Sequence, residues 1–255
     1  MKIEFEYFKA KESQAKHKAG LKAYTKEKDA AAKKLPNLST IQGNDQKHVV
    51  TPYGLFRIGA GNSKVHFPTI SFEAGLTCSS QDICPFAYAN KRAVKSKRPL
   101  CYAQKLEGAF ASTFNAKVYQ ASVCEKIAQE ADDSEMIDIA EAIALATKEY
   151  KSKYIRISEV GDIGPTVARF ARTVLCSLTM NGMKPYLYTK RPEPERELFR
   201  RSGALVVVSE EDFVCVKTAE EAKALKLPIC PGECGGPEHK CFRCPLGKKT
   251  AVIAH

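Results

Sequence analysis

The stretch that decides the fold is residues 154–189, YIRISEVGDIGPTVARFARTVLCSLTMNGMKPYLYT. YIRIS (154–158) is a compact β-type run, and the GDIGP turn after it ends at Pro165, a residue suited to the first turn of a helix. The helical pattern then continues until the Asn-Gly pair at 181–182 ends it. KPYLYT (184–189) is the next β-type run, so the segment predicts a β–α–β unit with parallel strands.

The same alternation continues on both sides of this unit. Towards the C-terminus the pattern predicts a helix at 193–202, a strand at 204–209, a helix at 218–226 and a last strand in TAVIA at 250–254. Towards the N-terminus it predicts helices at 105–131 and 134–150, with Ser134 as the cap of the second, and β-type pieces at 54–61 and 65–72.

We therefore predict an α/β fold with a partial parallel (β/α) barrel over residues 51–229. Residues 1–50 are expected to form a basic helical extension, whose polar helix at 8–34 stops before Pro36. Residues 230–255 are expected to form a four-cysteine metal segment that ends in the last strand.

The composition is that of an ordinary globular protein, with 44% hydrophobic and 27% charged residues among 255. No apolar run approaches the roughly 18 residues of a membrane helix, and the N-terminus lacks the apolar core of a secretory signal. We expect a cytoplasmic protein without membrane contact. Neither GxGxxG nor GxxxxGK[ST] occurs, which counts against the nucleotide-binding folds that carry those loops.

The net charge of +11 is concentrated in lysine-rich runs at 9–34 and 91–98. Such runs can bind nucleic acid, because contact with phosphates releases condensed counterions. They are equally typical of a solvated helix face, since acidic residues are interleaved with the lysines and no base-reading motif accompanies them. Nucleic acid therefore stays an open possibility for the N-terminal helix.

The chain contains ten cysteines, which is many for a reducing compartment where disulfides do not persist. Metal binding or catalysis is the expected use. Seven of them fall into two groups: Cys78, Cys84 and Cys101, and Cys230, Cys234, Cys241 and Cys244. The remaining three are isolated in apolar patterns and are predicted to pack in the core: Cys124, Cys176 and Cys215.

The C-terminal group places four thiols within a short Gly/Pro-rich segment, where they can close around one metal centre. Cys84, Cys230 and Cys244 are each followed directly by proline, as at the end of ferredoxin-type motifs, which favours a 4Fe–4S cluster. Zinc stays the alternative, because His239 can replace one thiolate and the thiols alone satisfy zinc.

The N-terminal group, Cys78-x5-Cys84-x16-Cys101, supplies only three thiolates. A four-iron cluster held by three cysteines keeps one iron open to a small molecule, unless a residue such as Asp82 closes it. Hydroxyl and amide side chains at residues 77–81 can donate hydrogen bonds to such a cluster. The alternative is three buried thiols, which the polar loop does not favour.

Charged residues follow two predicted strands, at the end where sites of parallel α/β proteins lie. Glu159 and Asp162 can bind an amino group, act in acid–base chemistry or ligate iron, and Lys190 and Arg191 can hold a carboxylate or phosphate. The structural alternative is that Asp162 caps the next helix and Glu159 pairs with Lys190. Arg156, within the strand, can point into the barrel.

The order of these blocks resembles one protein family. Thr77-Cys78, Cys84, Cys101-Tyr-Ala, Arg156-Ile-Ser158, Gly161-Asp162, Tyr188-Thr-Lys190 and the cysteine-rich tail together resemble the phage gene-product-eighty-eight domain family, over about residues 70–255. More distantly they are similar to radical S-adenosylmethionine enzymes of the spore-photoproduct-lyase type, which have a partial barrel and a three-cysteine, open-iron cluster. Those enzymes space their cysteines as CxxxCxxC, whereas sixteen residues separate the second and third here.

This resemblance implies an iron–sulfur protein with one or two 4Fe–4S clusters and redox, radical or Lewis-acid chemistry on an unknown small or macromolecular substrate. Glu159, Asp162 and Lys190 would then orient the substrate, and Arg156 and Ser158 would lie against a cofactor such as S-adenosylmethionine. A phage-encoded chain would act in the host cytoplasm. Two alternatives stay open: a nucleic-acid-associated protein with structural zinc, and an electron-transfer module.

Overall fold

The computed structural model describes part of the chain, namely residues 40–43, 46–61, 67–75, 78–80, 101, 103, 111–159, 161–208, 213–216, 218–227, 229 and 250–253. Nine strands lie in these ranges: β1 Thr40–Gly43, β2 Gln46–Thr51, β3 Gly54–Ile58, β4 Thr69–Ile70, β5 Tyr154–Ile157, β6 Lys184–Thr189, β7 Leu205–Val208, β8 Phe213–Val216 and β9 Thr250–Ile253. Five helices accompany them: α1 Ala111–Glu130, α2 Asp133–Lys148, α3 Pro165–Met180, α4 Glu195–Arg201 and α5 Ala219–Ala224.

A four-stranded parallel sheet is the centre of the fold. Its order, β4-β5-β6-β7, is the order of the strands along the chain, and every neighbouring pair is parallel. The parallel sheet and the β5–α3–β6 unit are therefore confirmed. The described strands do not close on themselves, so the partial barrel stays a prediction.

An antiparallel meander, β1-β2-β3, precedes the parallel sheet. An antiparallel bridge between Gly59 and Thr69 links the end of β3 to β4. Sequence patterning missed β1 and β2, and β2 crosses the predicted boundary between residues 50 and 51. The polar helix predicted at 8–34 lies outside the described residues.

Helix α3 packs on the parallel sheet, and α1 and α2 pack on α3 and on the antiparallel meander. Ile155, Ile157 and Leu187 point from the strands into one large apolar core, and that core also takes the buried sides of α1, α2 and α3. Its aromatic centre is a group of rings in tilted or edge-to-face contact with centroids 5.7–6.2 Å apart: Phe56, Phe72 and Phe170. Because successive side chains of a strand point to opposite faces of the sheet, the residues between these apolar ones lie on the other face.

The opposite face of the sheet is aromatic. Phe67 and Tyr186 are fully buried there, and Tyr154, Tyr188 and Leu205 pack against them. Tyr186 contacts Phe67 and Tyr188 edge to face, with centroids 5.5 and 5.8 Å apart. The same alternation places Arg156 on this face.

Helix ends follow the predicted chemistry, with one correction. Pro165 begins α3 and Asn181 ends it, as the sequence indicates. The cap of α2 is Asp132 and not Ser134, because the Asp132 carboxylate accepts a hydrogen bond of 2.8 Å from the N–H of Glu135. Ser134 lies inside the first turn. None of the described helices combines the length and the apolar character needed to cross a membrane.

A candidate site at the carboxyl ends of the parallel strands

The carboxyl ends of β4, β5 and β6 carry a cluster of polar side chains. Each strand is apolar where it faces the helices, and each becomes polar where it leaves the sheet. Because parallel strands all end at the same edge, these polar residues meet there. The cluster comprises Glu73 and residues 78–80 after β4, Ser158 to Asp162 after β5, and Thr189 to Arg191 after β6.

Asp162 is the hub of this cluster. Its Oδ1 accepts hydrogen bonds from the Thr189 hydroxyl (2.8 Å) and the N–H of Ile163 (2.9 Å). Its Oδ2 accepts from the Ser80 hydroxyl (2.8 Å) and the N–H of Lys190 (2.8 Å). The residue is only 5% exposed, and the four bonds use about all the acceptor capacity of a carboxylate. Asp162 thus ties together the segments after all three strands.

Asp162 does not cap α3. The cap position is Gly164, which makes no side-chain capping bond, so the predicted structural role is wrong in its geometry. The carboxylate instead accepts hydrogen bonds from the end of β6 and from the segment after β4. Because both of its oxygens are engaged in these bonds, the role of Asp162 here is to hold the two segments in place.

Glu73 is a second buried carboxyl in the cluster, and sequence reasoning missed it. It is 7% exposed, and it accepts hydrogen bonds from the N–H of Ser79 (2.8 Å) and the N–H of Gly164 (3.1 Å). Burial raises its pKa from 4.5 to about 7, and the charge of Asp162 adds to that rise against the opposing hydrogen bonds. The sequence feature that could have identified Glu73 is its position directly after the strand-like ISF run at 70–72.

Cys78 lies half-buried between these two carboxyls. Burial raises the pKa of its thiol to about 12, and the charges of Asp162 and Glu73 act in the same direction. The backbone N–H groups of Ser80 and Asp162 oppose that rise, since both favour a thiolate. The thiol therefore has hydrogen-bond donors aimed at it and no charge that would ionise it.

Ser158 adds a strained position at the end of β5. Its φ is +54°, a left-handed conformation that non-glycine residues rarely adopt, and its N–H donates to the Ile70 carbonyl at 2.7 Å. Its hydroxyl is buried and finds no hydrogen-bond partner within the described ranges. Strain of this kind concentrates at functional sites.

Glu159 pairs with a different cation from the one the sequence suggested. Its carboxylate accepts a hydrogen bond from the Thr69 hydroxyl (3.2 Å) and lies 3.9 Å from the Lys117 ammonium of α1. The ion pair that the structure gives Glu159 is with Lys117, and no pair with Lys190 is found among the described contacts. Glu159 ties the end of β5 to the start of β4 and to the helical layer.

The residues after β6 bind back into the protein. Arg191 donates two hydrogen bonds to Glu195, at 2.6 and 2.8 Å, which raises its pKa further. Its own N–H donates to the Thr189 hydroxyl at 2.9 Å. The backbone N–H of Lys190 is the group that reaches Asp162. The predicted use of Arg191 for an anionic ligand competes with this bidentate ion pair.

The cysteines are only partly described. Cys101 is half-buried, and Cys84, Cys230, Cys234, Cys241 and Cys244 lie outside the described residues. Within the described part of the chain, no three His, Cys, Asp or Glu side chains form a group that could hold a metal ion.

Cys124 is fully buried, as expected for a core cysteine, whereas Cys176 is exposed because it lies on the solvent side of α3. The prediction for Cys176 was wrong. The side chain of Cys215 lies outside the described residues.

The fold and the site define an α/β protein with a polar cluster at the carboxyl ends of its parallel strands. The family model of Gene product 88 matches residues 18–207, and the chain belongs to that family. The match begins earlier than the predicted resemblance and ends before the cysteine-rich tail. No curated protein and no solved structure matches the chain.

Proposed function

We propose that this chain is an iron–sulfur protein in which Cys78, Cys84 and Cys101 hold a 4Fe–4S cluster beside the polar cluster. A second 4Fe–4S cluster is held by the four cysteines of the tail: Cys230, Cys234, Cys241 and Cys244. The observation that carries the proposal is the environment of Cys78.

The thiol of Cys78 has the surroundings that a cluster ligand needs. Two backbone N–H groups, from Ser80 and Asp162, favour its thiolate, and N–H donors to sulfur are a usual means of tuning iron–sulfur centres. The described charges that act on it, those of Asp162 and Glu73, are both negative, so the thiolate is unfavourable without a cation. A bound metal supplies that cation and deprotonates the thiol outright.

The position of Cys78 along the chain supports the same proposal. It follows the first strand of the parallel sheet, and ligands of parallel α/β folds bind beyond the carboxyl ends of the strands. The sequential strand order supports the partial barrel as well, because a doubly wound sheet reverses its strand order.

A cluster held by three cysteines supplies an open iron for redox, radical or Lewis-acid chemistry. The chain's own residues would set the geometry around it. Asp162 fixes the end of β6 and the segment after β4, and Glu73 fixes the Cys78 segment to the start of α3. S-adenosylmethionine as a co-substrate, with Ser158 and Arg156 beside it, stays part of the proposal, as does a cytoplasmic location.

Metal analysis of protein made without oxygen tests the proposal. We expect a brown chain with broad visible absorption and about four to eight iron atoms, matched by sulfide. Cys78→Ser should lose about four of them, while the tail cluster stays visible by paramagnetic resonance. Cys176→Ser is the matched control, because Cys176 is an exposed helical cysteine, and it should keep all the iron.

Two results would reject the assignment. A colourless protein with stoichiometric zinc would favour the zinc alternative, and unchanged iron in Cys78→Ser would remove Cys78 from the ligand set. Cys101→Ser separates an enzyme from an electron carrier: loss of one redox signal alone indicates a carrier, and loss of S-adenosylmethionine cleavage indicates an enzyme.

A further inference from the structure

We propose that the aromatic face of the parallel sheet carries a binding site for an oxyanion, a carboxylate or phosphate group, with Arg156 as its charged partner. The Ser158 hydroxyl is the second donor. No cysteine takes part in the site, but it uses the two residues that the proposed function places beside S-adenosylmethionine, so for a carboxylate ligand the inference rests on that proposal.

The first observation is an unsatisfied charged donor. The Nε atom of Arg156 is buried and has no hydrogen-bond partner in the part of the chain that the structure describes. An arginine cannot lose its charge to escape this situation, and a buried donor on a charged group that lacks its partner is costly. Arg156 lies on a central strand, paired with Thr69 on one side and Tyr186 on the other, so it cannot easily turn away from the sheet face.

The second observation concerns which part of the guanidinium is occupied. Its carbon lies 5.3 Å from the centroid of the Tyr188 ring, which is cation–π distance. A cation–π contact makes no hydrogen bond to the edge of the guanidinium, where Nε lies. The edge is the part that binds a carboxylate or phosphate with two parallel hydrogen bonds. The contact with Tyr188 therefore leaves the Nε–H donor of Arg156 for a ligand.

The third observation is that nearby carboxylates are already engaged. None of the ion pairs among the described residues includes Arg156. Glu159, three residues on, pairs with Lys117 and accepts from Thr69, and Asp162 accepts four hydrogen bonds. A ligand is therefore the natural source of the missing negative charge.

The fourth observation is Ser158, two residues further on and directly after β5. The residue is only 5% exposed, and its hydroxyl is buried with no hydrogen-bond partner among the described residues. Its positive φ holds the backbone in a conformation that costs energy and that the surrounding structure has to enforce. Two polar groups that lack a partner among the described residues, one in β5 and one directly after it, are the basis for placing a single ligand here.

The experiment titrates inorganic phosphate and, separately, acetate into the full-length chain by calorimetry. We expect saturable one-site binding of at least one anion, which identifies the group as phosphate or carboxylate. Arg156→Gln should weaken that binding by about tenfold or more, since it removes a charge-assisted pair. Arg169→Gln is the matched control, because Arg169 is a half-exposed surface arginine paired with Asp133, and it should bind within about twofold of the unmodified chain.

A second variant keeps the test decisive if Arg156→Gln does not fold. Ser158→Gly relieves the positive φ and removes only the small hydroxymethyl group, so it should fold well and bind the anion several-fold more weakly. Equal affinity in Arg156→Gln and the unmodified chain would overturn the proposal. So would the absence of saturable binding of both anions, or unchanged binding in Ser158→Gly when Arg156→Gln is unfolded. Iron content is unaffected in every arm, which separates this test from the cluster proposal.

Discussion

Replacing Asp162 by asparagine should destabilise the fold, although the two side chains have nearly the same shape. The asparagine keeps one acceptor oxygen and puts an NH2 group where the other oxygen was. Whichever way the amide is turned, one hydroxyl and one backbone N–H face that NH2: Ser80 with Lys190, or Thr189 with Ile163. The hydroxyl can rotate and accept, but the backbone N–H cannot.

The magnitude follows from that N–H group. A buried donor left without its acceptor costs about 1–3 kcal/mol, and the remaining bonds weaken when the charge is removed. Loss of the buried charge returns part of this energy. We expect a loss of about 2–3 kcal/mol for Asp162→Asn, and about 4–5 kcal/mol for Asp162→Ala, in which all four donors lose their acceptor.

Urea unfolding followed by far-ultraviolet circular dichroism measures the difference. The matched control is Asp133→Asn, the same chemical change at an exposed ion pair with Arg169, which should cost less than about 1 kcal/mol. In thermal unfolding, Asp162→Asn should lower Tm by roughly 5–10 °C. If the two variants were equally stable, the hydrogen bonds around Asp162 would not be what holds the strand ends together.

Two further predictions concern the same edge of the sheet. The pKa of Glu73 rises from 4.5 in the unfolded chain to about 7 in the folded chain, so folding takes up a proton between these two pH values. The stability that the protonated Glu73 side chain contributes is therefore lost as the pH rises through about 7. Relative to Glu73→Gln, the free energy of unfolding of the unmodified chain should fall by about 2 kcal/mol between pH 4.5 and 7. If urea unfolding gave parallel pH profiles for the two proteins, this prediction would be contradicted. Gly161→Ala should cost at least 1 kcal/mol more than Gly182→Ala, because both have positive φ but only a Cβ at 161 would meet the Glu73 carbonyl oxygen, at 2.8 Å. If the two variants lost equal stability in thermal unfolding, the backbone around Gly161 would be able to move away from an added Cβ at little cost.

The regular elements could be predicted because their signals are local. The run at 154–157 alternates half-buried and buried residues, and Pro165 has a fixed φ that suits a helix start. The hairpin β1–β2 was missed because its strands are short and polar. The cap of α2 was placed two residues late, since Ser134 and Asp132 are both good capping residues and only geometry decides between them.

The site was predictable only in outline. That strand ends collect polar residues follows from topology, so Asp162 and Glu159 could be named from sequence. Their partners could not, because Thr189 and Ser80 lie far from Asp162 along the chain and meet it only when the sheet forms. Glu73 was missed for the same reason: a carboxyl next to an apolar run gives no sign that backbone groups bind it.

The pairing of β8 with β9 has a consequence for the tail that lies between them. The two strands are parallel and in register from Phe213 opposite Thr250 to Val216 opposite Ile253, and all four tail cysteines fall between them in the sequence. Joining the ends of a connection of roughly 30 residues costs about 3 kcal/mol in chain entropy. Because strand pairing meets that cost before any ligand binds, a metal held by these four thiols, as proposed above, would bind at a smaller entropic cost than at a chain terminus with one end untethered.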